Sequence, residues 1–153
     1  MSAEIKSLQQ VLIEELGKQP IERTPVPTAI VNNLNPQFAI RRYQEQAFKL
    51  FTNYWENAFE CKPRANHQLL FHMATGSGKT LIMAGLISYL YQQGYRNFLF
   101  FVNSTNIINK TRDNFFNQQS SKYLFADEVM IGDKRVAVRE VSNFQYGNAD
   151  DIN

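Results

Sequence analysis

Apolar residues recur at helical spacing over residues 3 to 17, with Ile5, Leu8, Leu12 and Leu16 on one face, which predicts an amphipathic helix. Pro20, Pro25 and Pro27 then predict an extended connection. A second helix is predicted over about residues 41 to 60, its buried stripe formed by Tyr43, Ala47, Leu50, Phe51, Tyr54 and Ala58. Leu69-Leu70-Phe71 is a short apolar run bounded by turn residues, as a buried strand would be. Leu81-Ile82-Met83, Leu86-Ile87 and Tyr89-Leu90 return to helical spacing until Gly94 offers a stop. The continuous apolar run from Asn97 to Val102 predicts a strand covered on both faces of a parallel sheet. A polar helix from about Thr105 to Gln118 follows. Strand, helix, strand, helix is the α/β signature. The last third changes character: Glu128 to Ile131, a Gly132-Asp133 turn and Arg135 to Val141 predict a β-hairpin, placed as an insertion rather than as another parallel strand. There are no internal repeats and no low-complexity tract.

Composition changes this picture little. At 153 residues the chain is one domain or a large part of one, long enough to bury roughly two-thirds of its unfolded surface. Hydrophobic content of 44% and charged content of 20% describe a globular chain, not a disordered one. A net charge of +2 gives no whole-chain field for nucleic acid, so any such contact must come from a local surface. Cys61 stands alone, which excludes a disulfide framework or a thiolate metal site. Glu4, Lys6, Glu14 and Glu15 interrupt the N-terminus, unlike a signal-peptide core. The longest apolar stretch, Leu81 to Tyr91, is about half of what a bilayer span needs, so a cytoplasmic protein without membrane contact is expected.

The chemistry concentrates in His72-Met73-Ala74-Thr75-Gly76-Ser77-Gly78-Lys79-Thr80. Gly76 and Gly78 can take backbone angles closed to other residues, which lets successive N–H groups converge on phosphate oxygens. Lys79 adds a mobile positive charge for the β- and γ-phosphates, and the Thr80 hydroxyl is a Mg²⁺ ligand. The helix that starts here, with Leu81 in its first turn, points its partly positive end at the same anion. The pattern G-x-x-x-x-G-K-[ST] calls for glycine at position 73, where this chain has Met73. A Gly/Ser turn that merely precedes Lys-Thr is the bland alternative, and the strand-loop-helix context argues against it. Nucleotide binding, with Mg²⁺, is expected of Thr75 to Leu81.

Other clusters carry two readings. Arg42-Tyr43-Gln44 opens the second helix; the Gln44 amide donates and accepts at once, which suits an adenine edge, but Gln44 could equally be a solvated helix residue. Asn103-Ser104-Thr105-Asn106 is a helix N-cap cluster, and helix N-termini also bind phosphates, so both roles are compatible. Lys110 and Arg112 fit a solvated face better than a binding stripe. Tyr123-Leu-Phe-Ala-Asp127-Glu128 invites comparison with a strand ending in catalytic acids. The run is short and leads directly into the hairpin, so Asp127-Glu128 is expected to be a turn. His67 and His72 have no neighbours in sequence that would make a metal site.

Met73-Ala-Thr-Gly-Ser-Gly-Lys-Thr80, with Arg42-Tyr43-Gln44 upstream and Val102-Asn103-Ser104-Thr105 downstream, resembles the first motor domain of superfamily 2 helicases and translocases. Within them it is most similar to the ATP-driven restriction subunits, those of type III above all, and the likeness covers about residues 40 to 118. It lacks the proline that many relatives carry near Asn103. The resemblance implies a P-loop NTPase (RecA-like) parallel sheet flanked by helices, incomplete in this chain, with N-terminal helices and a C-terminal β-hairpin insertion. Residues 1–35 would be a helix and proline-containing connection, and residues 36–153 the N-terminal portion of the first motor domain. Arg42 and Gln44 would lie at the nucleotide, with Gln44 reading adenine, and Lys79 would serve catalysis. Asn103, Ser104 and Asn106 would touch the backbone of one DNA strand.

Such motors hydrolyse ATP by positioning and charge stabilisation, which needs the loop, Mg²⁺, an acid to orient water and an arginine from a second domain. This chain supplies the first of these, so the 153 residues alone are expected to be inactive and to be the front of a longer ATP-dependent DNA translocase, a type III-like restriction subunit. The implied partners are double-stranded DNA and a methyltransferase/specificity subunit. Two rivals stay open. A stand-alone ATP-binding module without turnover would need nothing more than the loop. A small P-loop kinase would normally begin at its strand and loop, whereas about seventy residues precede the loop here.

Overall fold

The computed structural model describes residues 6–58 and 66–153. In chain order the elements are α1 (Leu8–Leu16), α2 (Lys18–Arg23), α3 (Thr28–Val31), α4 (Arg42–Glu56), α5 (Lys79–Gln92), α6 (Thr105–Phe116), β1 (Val129–Ile131), β2 (Lys134–Val136) and a single 3₁₀ turn, Phe144–Tyr146. The chain divides into two compact units. One comprises the described residues up to Val26 with Ile40–Ser77; the other comprises Pro27–Ala39 with Gly78–Asn153.

In the first unit, α1 starts where Ser7 and Gln10 close a capping box. The Ser7 hydroxyl accepts the Gln10 N–H at 3.3 Å, and the Gln10 side chain accepts the Ser7 N–H at 2.7 Å. The expected extended connection is instead partly helical. Pro20 lies in the first turn of α2, where no intrahelical N–H is needed, so proline does not break the element. Leu12, Ile21 and Tyr54 form the buried centre of α1, α2 and α4, with Ile13, Leu16, Leu50, Trp55 and Leu69 packed around them. Lys49 ties α4 to α2 by donating to the Glu22 carbonyl at 2.8 Å. The Tyr54 hydroxyl lies 2.7 Å from His67 Nδ1, and the two rings meet edge to face.

The stripe expected on α4 holds in its middle: Phe51 and Tyr54 are buried and Ala47 and Leu50 half-buried, while Tyr43, and Ala58 beyond the helix end, are exposed. Gln44, Phe48, Thr52 and Asn53 are buried as well, and burial of Gln44 is tolerable because both ends of its amide are hydrogen-bonded. The helix stops at Glu56, where the Asn57 N–H and side-chain amide both return to the Asn53 carbonyl. The remainder of the predicted helix, from Phe59 on, lies outside the described residues, as do Cys61 and the first five residues.

The second unit is built on α5, which buries Leu81, Ile82, Ala84, Leu86, Ser88, Tyr89 and Tyr91 around most of its circumference. It packs against α3 and β1. β1 and β2 form the expected hairpin, in register Val129↔Val136, Met130↔Arg135 and Ile131↔Lys134. Gly132 takes φ of +61° in its two-residue turn, as such turns require. Asp127 and Glu128 lie exposed on the bend before β1, and Glu128 pairs with Arg135 at 3.1 Å, as a turn and not as a strand end. Phe125 meets the rings of Phe115, on α6, and Tyr123, and is bridged to Leu34; all four are buried, as is Leu124. Asn33, 0% exposed, acts as a strand partner for Met130. Its amide accepts the Met130 N–H at 2.7 Å and donates to the Met130 carbonyl at 2.9 Å, while also donating to the Ala29 carbonyl.

The chain is thus α/β, but among the described residues the only sheet is this two-stranded antiparallel one. Leu69-Leu70-Phe71 and Asn97–Val102 are extended without forming strands. Leu70 is 91% exposed, Leu99 69% and Phe101 82%, contrary to the expectation of burial on both faces. A strand is defined by its lateral partners, and these segments have few. Parallel pairing does begin at one place. Ile152-Asn153 lies between two segments, with Phe98 N–H on Asn153 O and Asn153 N–H on Arg96 O, each at 2.8 Å. On its other side Val138 and Ile152 form a parallel bridge. From Leu99 to Val102 no described residue offers a backbone hydrogen bond.

Candidate functional site: the glycine-rich loop

The loop contains the second point at which the chain passes from the first unit to the second, between Ser77 and Gly78. On the first side, the Ser77 N–H closes a four-residue turn on the Ala74 carbonyl at 3.3 Å, reinforced by the Ser77 hydroxyl at 2.7 Å. Gly76 stands third in that turn with φ of +78°, where a type II turn demands glycine. A Cβ built there would meet nothing, so the requirement is conformational and the space beside it is open.

The start of α4 reaches the same turn. The Tyr43 hydroxyl and Gln44 Nε2 both donate to the Ser77 carbonyl, each at 2.9 Å, and Gln44 Oε1 accepts the Arg41 N–H at 2.9 Å. Gln44 is therefore 3% exposed and engaged at both ends, neither solvated nor presented as an open amide. Arg42 is exposed in the first turn of α4. Within this unit a cavity of about 570 Å³ runs between α1, α4 and residues 69–74, and reaches Tyr43 and Ser77. Its walls are mostly apolar, and its volume is that of a small-molecule site.

On the second side, Gly78 takes φ of +83° as the N-cap of α5, and Lys79 and Thr80 are its first two residues. Leu81 N–H and Ile82 N–H return to the Gly78 carbonyl at 3.0 and 3.2 Å. The backbone N–H groups of Gly78 and Thr80 have no acceptor among the described residues. Thr75 and Lys79 are exposed, Thr80 half-buried, and Leu81 is buried and anchors the first turn. Two left-handed glycines, unpartnered N–H groups at a helix start, a lysine and a hydroxyl are the donor set that a phosphate chain carrying Mg²⁺ requires. The described residues hold no cluster of three His, Cys, Asp or Glu side chains.

Asn103, Ser104 and Asn106 are grouped at the start of α6. Ser104 is its N-cap, but its hydroxyl makes no capping bond; only its carbonyl is used, by the Ile107 and Ile108 N–H groups at 3.1 Å. Asn103 and Asn106 are exposed. Arg112 is held in a two-pronged pair with Glu140 at 2.6 and 2.7 Å, as a structural residue and not as part of a basic stripe. The bonds from Arg112 hold the Glu140 carboxyl below its ordinary pKa.

What sequence reasoning missed is the contact of Tyr43 with the loop. The hydroxyl of a residue read as core lies 34 positions from its acceptor, and no local pattern marks such a pair. Among the described residues no helix is long and apolar enough to cross a membrane.

Comparison with known proteins identifies the chain as a helicase-like N-terminal part. The family of type III restriction enzyme Res subunits matches residues 37–150, and the chain belongs to it. A relative from Haemophilus influenzae, described as the probable type III restriction-modification enzyme HindVIP Res subunit, is 40% identical over 122 residues. The alignment covers 78% of this chain and 24% of that relative, so the chain spans about a quarter of its length. No solved structure matches the chain.

Proposed function

We propose that these 153 residues bind Mg²⁺-ATP as the front part of a cytoplasmic ATP-dependent DNA translocase, the restriction subunit of a type III-like restriction-modification enzyme. The observation that carries this reading is the loop: Gly76 and Gly78 with φ near +80°, followed at once by Lys79 and Thr80 in the first turn of α5. Gly76, Ser77 and Gly78 wrap the phosphates, with Thr75 at the rim. Lys79 neutralises the β- and γ-phosphates, Thr80 holds Mg²⁺, and Leu81 keeps the turn rigid. Bound Mg²⁺ supplies the charge that offsets the triphosphate. Arg42 stands on the exposed surface of α4 and is assigned to the nucleotide.

In the intact protein the domain takes the form of a parallel RecA-like sheet flanked by helices. The parallel pairing of Ile152-Asn153 with residues 96–98 and 137–139 supports that form. Asn103, Ser104 and Asn106 contact the backbone of one strand of double-stranded DNA, favoured by an N-cap whose side chain is uncommitted. A methyltransferase/specificity subunit is the further partner. By themselves the 153 residues bind without turnover, because the acids that orient water and the arginine of a second motor domain are not among them; Asp127 and Glu128 lie on an exposed bend, with Glu128 paired to Arg135.

Calorimetric titration of Mg²⁺-ATP into the wild-type chain and Lys79→Ala tests the reading. Losing a charge-assisted contact worth about 1.5–3 kcal/mol weakens binding by about tenfold to a hundredfold. Equal affinity of the two proteins would refute it.

A further inference from the structure

Within the second unit, α6 is held by its second half. Thr111 and Phe115 are its buried residues, the Phe115 ring meets Phe125 edge to face at 5.4 Å, and the Asn114 carbonyl accepts the Leu124 N–H at 2.9 Å. From Thr105 to Lys110, by contrast, only Ile108 is even half-buried. The end that carries Asn106, with Asn103 and Ser104 just before it, therefore projects from its support. Thr111 and Phe115, four apart, share one stripe of the helix, and a support along one stripe resists roll and tilt poorly. Arg112 supplies the tie on another side. We propose that Glu140 is a positioning residue for the DNA contact: by gripping Arg112 it fixes the roll and tilt of α6, and so aims Asn103, Ser104 and Asn106. This role rests on the DNA-contact reading given above and adds the device that holds those residues in place.

Three observations favour it. The guanidinium meets both carboxylate oxygens, Nε at 2.7 Å from Oε2 and Nη2 at 2.6 Å from Oε1, and two parallel bonds fix an angle that a single contact leaves loose. Glu140 follows directly on anchored backbone. The Ile152 N–H bonds to the Ala137 carbonyl at 2.9 Å, the Arg139 N–H to the Ile152 carbonyl at 2.8 Å, and the Arg139 side chain to Asp151 at 2.6 Å. Arg112 also stands close enough to matter and far enough to magnify. It is six residues from Asn106, about 9 Å along the helix, so a tilt of about 10° displaces Asn106 by about 1.6 Å, enough to lose a hydrogen bond. Both side chains of the pair are 49% exposed, so its contribution to overall stability is modest and orientation is what it supplies.

Removing Glu140 deletes a negative charge and frees a cation, which by charge alone strengthens binding to DNA. Loss of aim weakens it, so the sign of the change tells the two effects apart. A short fluorescein-labelled duplex is titrated at one salt concentration into the full chain, into Glu140→Met and into the charge swap Arg112→Glu with Glu140→Arg. Backbone order parameters are measured by nitrogen relaxation on the same proteins without DNA. Glu140→Met should bind about threefold more weakly, as when the aimed orientation is kept for about a third of the time. Its Asn106 and Ile107 amides should fall clearly below the rigid-backbone order parameter of about 0.85, while Phe115 stays there. The swap should restore both. Glu140→Met binding as tightly as wild type, or tighter, overturns the positioning role, as do unchanged order parameters at Asn106 and Ile107; this variant decides alone should the swap fail to fold. A swap that restores order but not affinity assigns the contact to Arg112 itself and overturns the role too. Asn103→Asp with Asn106→Asp runs in parallel, setting carboxylates against phosphates. If it binds the duplex like wild type, the DNA-contact reading falls and takes the positioning role with it. If it loses the duplex while Glu140→Met does not, only the positioning role is wrong.

Discussion

Asn33 links α3 to the hairpin of the second unit, and replacing it gives a sharp test of that link. Its fully buried amide makes three hydrogen bonds, to the Ala29 carbonyl and to both polar groups of the Met130 backbone. Asn33→Ala removes all three and leaves the Met130 N–H and carbonyl without the partner that stood in for a neighbouring strand. At about 0.5–1.5 kcal/mol for each bond, the expected loss is about 2–4 kcal/mol, a large fraction of a typical domain's stability. The assay is urea unfolding followed by far-ultraviolet circular dichroism, because Trp55, the single tryptophan, reports on the other unit. Hydrogen exchange at the Met130 amide gives the local readout, and protection there should vanish. A loss below about 1 kcal/mol with the Met130 amide still protected would refute the argument. Asn33→Asp adds a sign. A carboxylate there would face two carbonyl oxygens, so its folded pKa is raised and only the protonated form fits. Its stability should be intact below the ordinary carboxylate value and lost as pH rises through the raised one, the reverse of the usual acidic residue.

Three other perturbations follow from the same structure. Gly132→Ala places a side chain at φ of +61° in open space, so the cost is conformational and should be about 1–2 kcal/mol in chemical denaturation; no change would mean the turn readily adopts another form. Arg112→Met frees Glu140 from the pair that lowers its pKa. Wild type should lose stability as pH falls through that lowered value, whereas the variant lacks this step, and superimposable acid-unfolding curves would count against the pair. Tyr54→Phe deletes the hydroxyl 2.7 Å from His67 Nδ1 and should cost about 1 kcal/mol, seen as a blue- or red-shifted Trp55 emission midpoint at lower urea; an unchanged midpoint would show the bond contributes nothing.

The elements that sequence patterns foretold well are those specified by neighbouring residues. The hairpin announces itself through Gly132-Asp133 between two apolar runs, α5 through its unbroken helical spacing, and the tight turn before it through Gly76 and Gly78. The misread parts depend on residues far away in the chain. Pro20 and Pro27 suggested extended backbone, yet proline fits the first turn of α2 and the N-cap of α3, where packing decides. The two predicted strands have suitable residues, but a strand needs neighbours that no local window contains, and Leu70, Leu99 and Phe101 lie exposed. Asn33 gave no sign of burial, because its value lies in Met130, about a hundred positions on. The same holds for Tyr43, an aromatic at core spacing that is used for its hydroxyl.

The pairing of Asn153 with Arg96 and Phe98 also has a consequence in time. A ribosome makes the uncharged run from Asn97 to Val102 about fifty residues before it makes the segment that pairs with it. At about 5–20 residues per second, that run waits roughly 3–11 s for its neighbour. During this interval the run, with no charge and no proline, lacks even the pairing that Phe98 later makes with Asn153, and is open to any other extended chain nearby. The speed of translation therefore sets how long the nascent protein is exposed to misassembly, and slowing the ribosome between Val102 and Ile152 should raise the aggregated fraction without altering a single residue.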